Sequence, residues 1–197
     1  SGETAKDFTS RGEVFDYDFY KKLASDPKVL AIGECGLDYY RLEETTKARQ
    51  LEALEAQMNL SFEFKKPLMI HCRNAFRDLI DFLVRNKSKL NASPGIIHFF
   101  TGTPEDAAEL MELNFYFSFG GVTTFTRDYD AAIKKIGLDR IVLETDAPYV
   151  TPTPFRGRRN EPSYLIHISE AVAKILGVSP ETVAEKTTEN ARKVLRI

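Results

Sequence analysis

Four short apolar runs in this chain each finish on a residue able to bind a metal ion, and this recurrence narrows the possible folds more than any other feature. VLAIGECGLDYYR, residues 29–41, begins as an apolar strand over residues 29–32, stops at Gly33, and puts Glu34 where strand gives way to loop. PLMIHCR, residues 67–73, contains a run ending in His71, and GIIHFF, residues 95–100, contains one ending in His98. RIVLETDAP, residues 140–148, contains a run ending in Glu144 and Asp146. A further apolar run, FYFSF at residues 115–119, stops at Gly120-Gly121, where backbone can lie close to another group.

Helical patterns separate these runs. Val14, Phe15, Phe19, Tyr20 and Leu23 recur at helical spacing over residues 14–25, ahead of Asp26-Pro27. Residues 42–63 form the longest helical candidate, with Leu51, Leu54, Met58 and Phe62 on one stripe. Over residues 74–87 the stripe is Phe76, Leu79, Ile80 and Leu83. Thr103-Pro104-Glu105 opens another helix, since Thr can cap it and Pro suits its first position. Residues 129–136, 163–176 and 180–195 supply the remaining helices, and residues 1–12 read as loop. The stretch 147–162 is a long proline-rich loop carrying Arg156, Arg158, Arg159 and Glu161, and loops of that length in compact domains are more often functional than idle.

Strand and helix thus alternate five times, which predicts parallel βα units and an α/β fold of TIM-barrel type. In that architecture the residues just past the carboxyl ends of the strands gather on one face. Glu34, His71, His98 and Asp146 are therefore expected to converge. The 197 residues are read as one domain, with no linker or low-complexity tract.

Two imidazoles and two carboxylates make a mixed nitrogen and oxygen set suited to zinc, manganese, iron or, with water, magnesium. One or two such ions would activate water and polarise a phosphoryl or carbonyl oxygen, and Asp146 is a candidate general base. Metal-assisted hydrolysis is the natural reaction class. Taken singly, each residue has a plainer reading: a strand-end histidine is commonly a hydrogen-bonded structural group, and a lone carboxylate a cap. Their repetition at equivalent places favours the metal. His167, inside a helical pattern, reads as structural, and Cys35 and Cys72 as small packing residues. Asp38 suits either an orienting role behind a ligand or a turn. Arg73 and the Arg156, Arg158 and Arg159 group suit phosphate contacts or a solvated loop, while Tyr39 and Tyr40 suit base stacking or rim packing.

A formal charge of −2 gives no overall basic signal, so nucleic acid would have to be held by a local patch or by metal ions. Two cysteines are too few for a disulfide framework, and a reducing compartment, cytoplasmic or nuclear, fits best. No apolar run approaches the roughly 20 residues that span a bilayer, and the polar start SGETAKDFTS does not read as a signal peptide.

AIGECGLDYYR, PLMIHCRNA, IIHFFTG, FSFGG and LETDAPY followed by RNEP closely resemble the signatures of the TatD family of metal-dependent deoxyribonucleases, within the amidohydrolase-like TIM barrels. The resemblance runs from about residue 15 to the end, in the family's order and spacing. It implies divalent-metal-dependent hydrolysis (Mg, Mn or Zn) of DNA phosphodiesters, commonly as a 3′ to 5′ exonuclease on single strands or 3′ ends, with roles in repair or DNA degradation. By the resemblance Glu34 is the metal-bridging carboxylate, His71 and His98 are metal ligands, and Asp146 is ligand and base. Arg73, Arg159 and Asn160 match motifs at the mouth of the site and are expected to touch substrate.

The family also begins with a strand bearing His-x-His, and this chain has no such motif. Five strands are expected where the closed barrel has eight, about three βα units or roughly 60–70 residues fewer. An open sheet of that kind would expose two edges, which self-association could cover. Two other readings stand beside the nuclease: an amidohydrolase-like enzyme acting on a small amide or ester, and a catalytically impaired relative.

Overall fold

The computed structural model describes residues 14–40 and 46–197. The expected loop over residues 1–12 and the start of the second helix at residue 42 lie outside the described residues. Five strands form one parallel sheet: β1 Ile32–Asp38, β2 Leu68–Arg73, β3 Gly95–His98, β4 Tyr116–Phe119 and β5 Ile141–Leu143. Among the described residues seven α-helices accompany them: α1 Tyr17–Ala24, α2 Lys47–Phe64, α3 Phe76–Arg85, α4 Pro104–Glu112, α5 Asp130–Ile136, α6 Leu165–Leu176 and α7 Pro180–Leu195.

Parallel neighbours cannot be joined by a tight hairpin, and each pair here is separated by a crossover containing at least one helix. The strands follow one another across the sheet in chain order, without the reversal of a doubly wound fold. That order is the wall of a TIM-type barrel. Among the described residues the wall is open, with β1 and β5 each paired on one side only.

Side-chain alternation gives the sheet two different faces. Leu37, Leu68, Ile70, Cys72, Ile97, Phe117, Phe119 and Ile141 enter the main core with Leu54 and Met58 of α2, Leu79 and Leu83 of α3, Leu110 of α4 and Ile133 of α5. The opposite face is itself divided along the strands. Towards their amino ends Met69, Ile96, Tyr116 and Val142 meet Ala191, Val194 and Leu195 of α7 in a second apolar cluster. Towards their carboxyl ends it carries His71, His98 and Ser118. Helix α7 is fixed in place by Asn190, 3% exposed, whose Nδ2 donates to the carbonyls of Leu138 (2.8 Å) and Ile141 (2.7 Å) at the start of β5. One end of this face is thereby dry and closed, leaving the other end for chemistry.

Local signals account for several boundaries. Thr103 Oγ1 accepts from Asp106 N at 3.1 Å and the Asp106 carboxylate accepts from Thr103 N at 2.9 Å, a reciprocal capping box at the start of α4. Ser179 accepts from Thr182 N at 3.1 Å, with Pro180 in the first turn, so α7 starts where the sequence places it.

Two expected apolar stripes are corrected. In α2, Leu54 and Met58 are fully buried, but Phe62 is 52% exposed, and Leu60 and Ser61 are buried instead. Ser61 Oγ donates to Lys66 O at 2.6 Å, so the last turn is oriented by its link to β2 rather than by the aromatic ring. Ahead of and along α1, Phe15 and Tyr20 pack on the core as expected, but Val14, Phe19 and Leu23 are 80%, 55% and 48% exposed, and Tyr17 and Ala24 complete the inward side. An eight-residue helix buries only one narrow side, and a tyrosine serves there as well as leucine, Tyr17 OH donating to Glu63 Oε2 at 3.1 Å.

Candidate metal centre

The position of Glu34 comes from an irregularity in β1. The strand was expected over residues 29–32, with Glu34 beyond its end; it runs instead from Ile32 to Asp38, with Glu34 inside it. Ile32 pairs with Leu68 and Cys35 with Ile70, so three steps along β1 match two along β2. This bulge at Gly33 and Glu34 inserts one residue into the alternation. Ile32, Cys35 and Leu37 can then all face the helices, and Glu34, Gly36 and Asp38 the other side. Gly36, at φ +133°, allows β1 to lie against β2: a Cβ there would stand 1.9 Å from His71 O.

His71 and His98 come next on that face, directly paired across β2 and β3. Both turn one ring nitrogen towards the same carboxylate oxygen. His71 Nδ1 lies 3.0 Å and His98 Nε2 3.9 Å from Glu34 Oε1. The remaining nitrogens also face carboxylates: Asp38 Oδ2 is 3.4 Å from His71 Nε2, and Glu144 Oε2 is 2.7 Å from His98 Nδ1. Asp38 is held by backbone bonds to Gln50, its N–H reaching Oε1 at 2.8 Å and its carbonyl receiving Nε2 at 3.0 Å.

The charges show the same convergence. The hydrogen bond from His71 is the main influence holding the Glu34 carboxyl below its ordinary pKa, against burial, which raises it. That hydrogen bond also raises His71. At His98 burial acts downward, but the Glu144 hydrogen bond and the charges of Glu144, Glu34 and Asp146 leave the pKa raised. Asp146 is raised, first by burial and then by Glu144 and Glu34, with His98 and His71 opposing.

These directions fix a pH prediction for chelator-treated protein. The Glu34 contribution to stability is present above the ordinary carboxylate value of 4.5 and is lost as pH falls through its lower folded value. The His71 contribution is present below 6.5 and is lost as pH rises through its raised folded value. Thermal stability is therefore expected to show a maximum between these limits that Glu34→Gln flattens. Because Glu34 is half-exposed, the amplitude should be no more than about 1 kcal/mol. An identical pH profile in the variant would show that the pair does not contribute.

Asp146 follows β5 by three residues and adopts a left-handed conformation, φ +56°. Asn160 braces that turn. Its Nδ2 donates to Thr145 O and to Tyr149 O, each at 2.6 Å, while Oδ1 accepts from Glu161 N at 2.9 Å. The expected substrate contact at Asn160 is thus corrected: the residue is 1% exposed and its side-chain hydrogens are spent on the chain's own carbonyls. Asn160→Ala leaves those two carbonyls unpaired and should cost about 1–3 kcal/mol. Denaturant unfolding checks this, and an unchanged midpoint would mean that the turn holds itself.

Arg73 ends β2 on the face of His71, and its guanidinium stacks 3.6 Å above the centre of the Tyr40 ring. Tyr39 OH donates to Asp78 at 2.8 Å, so this tyrosine packs at the rim. Arg159 is exposed in the loop after β5, whereas Arg156 lies 3.8 Å above the Phe125 ring and donates to Thr151 O at 3.0 Å. Cys35 and Cys72 are buried, and burial pushes both thiols up to about 12, the state of packing residues rather than ligands. His167 sits in α6 beside Phe155 and Tyr164, with its Nδ1 3.3 Å from Glu170 Oε2. Sequence reasoning passed over Ser118, whose hydroxyl hydrogen-bonds Glu144 Oε2. A single serine in the otherwise apolar strand YFSF was the available signal.

As they stand, no three His, Cys, Asp or Glu side chains among the described residues close around a point as a formed cage would. Glu34 is hydrogen-bonded to His71 in the place where an ion would come between them. The donors nevertheless suit a divalent ion. His71 Nδ1 and His98 Nε2 both face one Glu34 oxygen, while on the outer side His71 Nε2 and Glu144 Oε1 are buried without a hydrogen-bond partner, the former 3.4 Å from Asp38 Oδ2. Each histidine also has an outer carboxylate behind it, the arrangement that orients imidazole ligands.

The fold is thus an open TIM-type wall on one face of which Glu34, His71 and His98 converge, and comparison with known proteins gives its family. Residues 7–196 match the family model described as TatD related DNase. The chain is 42% identical over 184 residues to the uncharacterized metal-dependent hydrolase YabD of Bacillus subtilis, spanning 92% of this chain and 71% of that protein. It is 37% identical to the 3′-5′ ssDNA/RNA exonuclease TatD of Yersinia pseudotuberculosis, over 90% of this chain and 70% of that one. The solved structure of YjjV, a TatD homolog from Escherichia coli K12, superposes with a TM-score of 0.84 at 24% identity, covering 92% of this chain and 70% of that chain. The protein belongs to the TatD family. Among the described residues no helix is long and apolar enough to cross a membrane.

Proposed function

We propose that the protein hydrolyses phosphodiester bonds of single-stranded DNA from the 3′ end, using a divalent ion held by Glu34, His71, His98 and Asp146. The single observation that carries this reading is the approach of His71 Nδ1 and His98 Nε2 to one oxygen of Glu34 at the carboxyl ends of adjacent strands. Family membership, and a relative named as a 3′-5′ ssDNA/RNA exonuclease, support the choice of substrate. An ion at this place supplies Lewis acidity towards a phosphoryl oxygen and towards water.

The protein's own groups do the rest. Asp146, with its pKa raised chiefly by burial, is suited to accept a proton from attacking water. Arg73, supported on Tyr40, offers planar donors to a phosphate next to His71, and exposed Arg159 offers a second cation in the β5 loop. The exposed arginines favour a phosphate over a small amide or ester.

The test is digestion of 3′-labelled single-stranded DNA with magnesium or manganese, with chelator, and with Asp146→Asn. Cleavage should require the metal and fall at least ~100-fold in the variant. Cleavage that survives both chelator and Asp146→Asn would overturn the reading, as would a folded protein inert with either metal.

A further inference from the structure

Behind His98 lies a hydrogen-bonded chain that the proposed chemistry does not use. Ser118 is 2% exposed and sits on the inner side of β4, one strand away from His98. Its hydroxyl donates to Glu144 Oε2 and accepts from Phe99 N at 2.9 Å, so its hydrogen and one lone pair are both committed. The same Glu144 oxygen meets His98 Nδ1 at 2.7 Å. Glu144 is in turn anchored at its backbone, its N–H donating to Phe119 O at 3.1 Å, and its side chain is only 16% exposed.

A carboxylate at Nδ1 requires a proton there. In a neutral imidazole that leaves the lone pair on Nε2, the nitrogen facing Glu34. We infer that Glu144 and Ser118 are positioning residues that act through His98: Glu144 fixes its tautomer and ring orientation so that the Nε2 lone pair points at Glu34, and Ser118 holds Glu144 in place. The inference rests on the metal reading above for its consequence, but the tautomer itself belongs to the metal-free protein. A purely structural role for Glu144 would fill the space beside His98 without fixing which nitrogen carries the proton.

The experiment is two-bond proton–nitrogen NMR of labelled histidine in chelator-treated protein at pH about 9, where imidazole is neutral, together with manganese titration. In the wild type His98 should carry its proton on Nδ1. Glu144→Ala should shift it towards the Nε2-protonated form and weaken manganese binding about 10–100-fold. Glu144→Gln keeps an acceptor and should retain the Nδ1 proton with an intermediate loss of affinity. Ser118→Ala should weaken binding by a smaller factor, and Ser118→Thr, which restores the hydroxyl, should recover it.

A wild-type His98 protonated on Nε2 overturns the inference. So does a Glu144→Ala protein with unchanged tautomer and affinity. Should Glu144→Ala fail to fold, the wild-type spectrum and the two Ser118 variants decide. A wild type that binds no manganese yet carries the Nδ1 proton would defeat the metal reading and leave the assignment of Glu144 standing.

Discussion

Glu34→Gln is expected to reduce metal-dependent hydrolysis by at least ~100-fold while the protein remains folded. The two histidines approach the same Glu34 oxygen, at 3.0 and 3.9 Å, so this oxygen marks the centre of the donor set. Glutamine has the same shape but lacks the charge, and its amide nitrogen cannot serve as a ligand. Since the side chain is 54% exposed, the cost of the substitution to stability should stay within about 1 kcal/mol. Parallel measurement of manganese affinity and of hydrolysis checks the expectation. Equal affinity and rate in the variant would move the metal site elsewhere.

Gly36→Ala should be more damaging than any surface change on β1. The added Cβ would stand 1.9 Å from His71 O and 2.9 Å from His71 C, where no rotamer can relieve the clash because both atoms are backbone. The residue also sits at φ +133°, a conformation that alanine adopts only under strain of about 1–3 kcal/mol. Either β1 moves off β2 or the His71 backbone is pushed away from β1, and both outcomes separate Glu34 from His71. A fall in unfolding stability by that amount or more, with a parallel loss of metal affinity, is expected. A variant that matches the wild type in both would mean that the two strands are not held as closely as described.

The same pair of strands shows where sequence reading succeeds and where it stops. The shared face of His71 and His98 was legible because apolar runs of strand length end on or near them, and their carrier strands β2 and β3 are neighbours in chain order. The extent of β1 was not legible. Its bulge breaks the period of two on which strand recognition depends, so a seven-residue strand read as a four-residue one. Asn160 failed for another reason: a motif beside a loop says that a residue matters, not whether it faces substrate or braces the turn that does. Ser118 and Glu144 become a unit only when β4 and β5 lie side by side, at a sequence separation of 26 residues. Phe62 and the outer face of α1 show tertiary contacts selecting a different helical face from the one apolar spacing favours.

The proposal on which the rest depends is one ion held beside Glu34, His71 and His98, with Asp146 as a further donor. Crystals grown with manganese and measured at its absorption edge test this most directly. The predicted result is an anomalous peak within bonding distance of Glu34 Oε1, His71 Nδ1 and His98 Nε2, with His98 Nδ1 still on Glu144. A fully occupied manganese elsewhere, with Glu34 still hydrogen-bonded to His71, would contradict it.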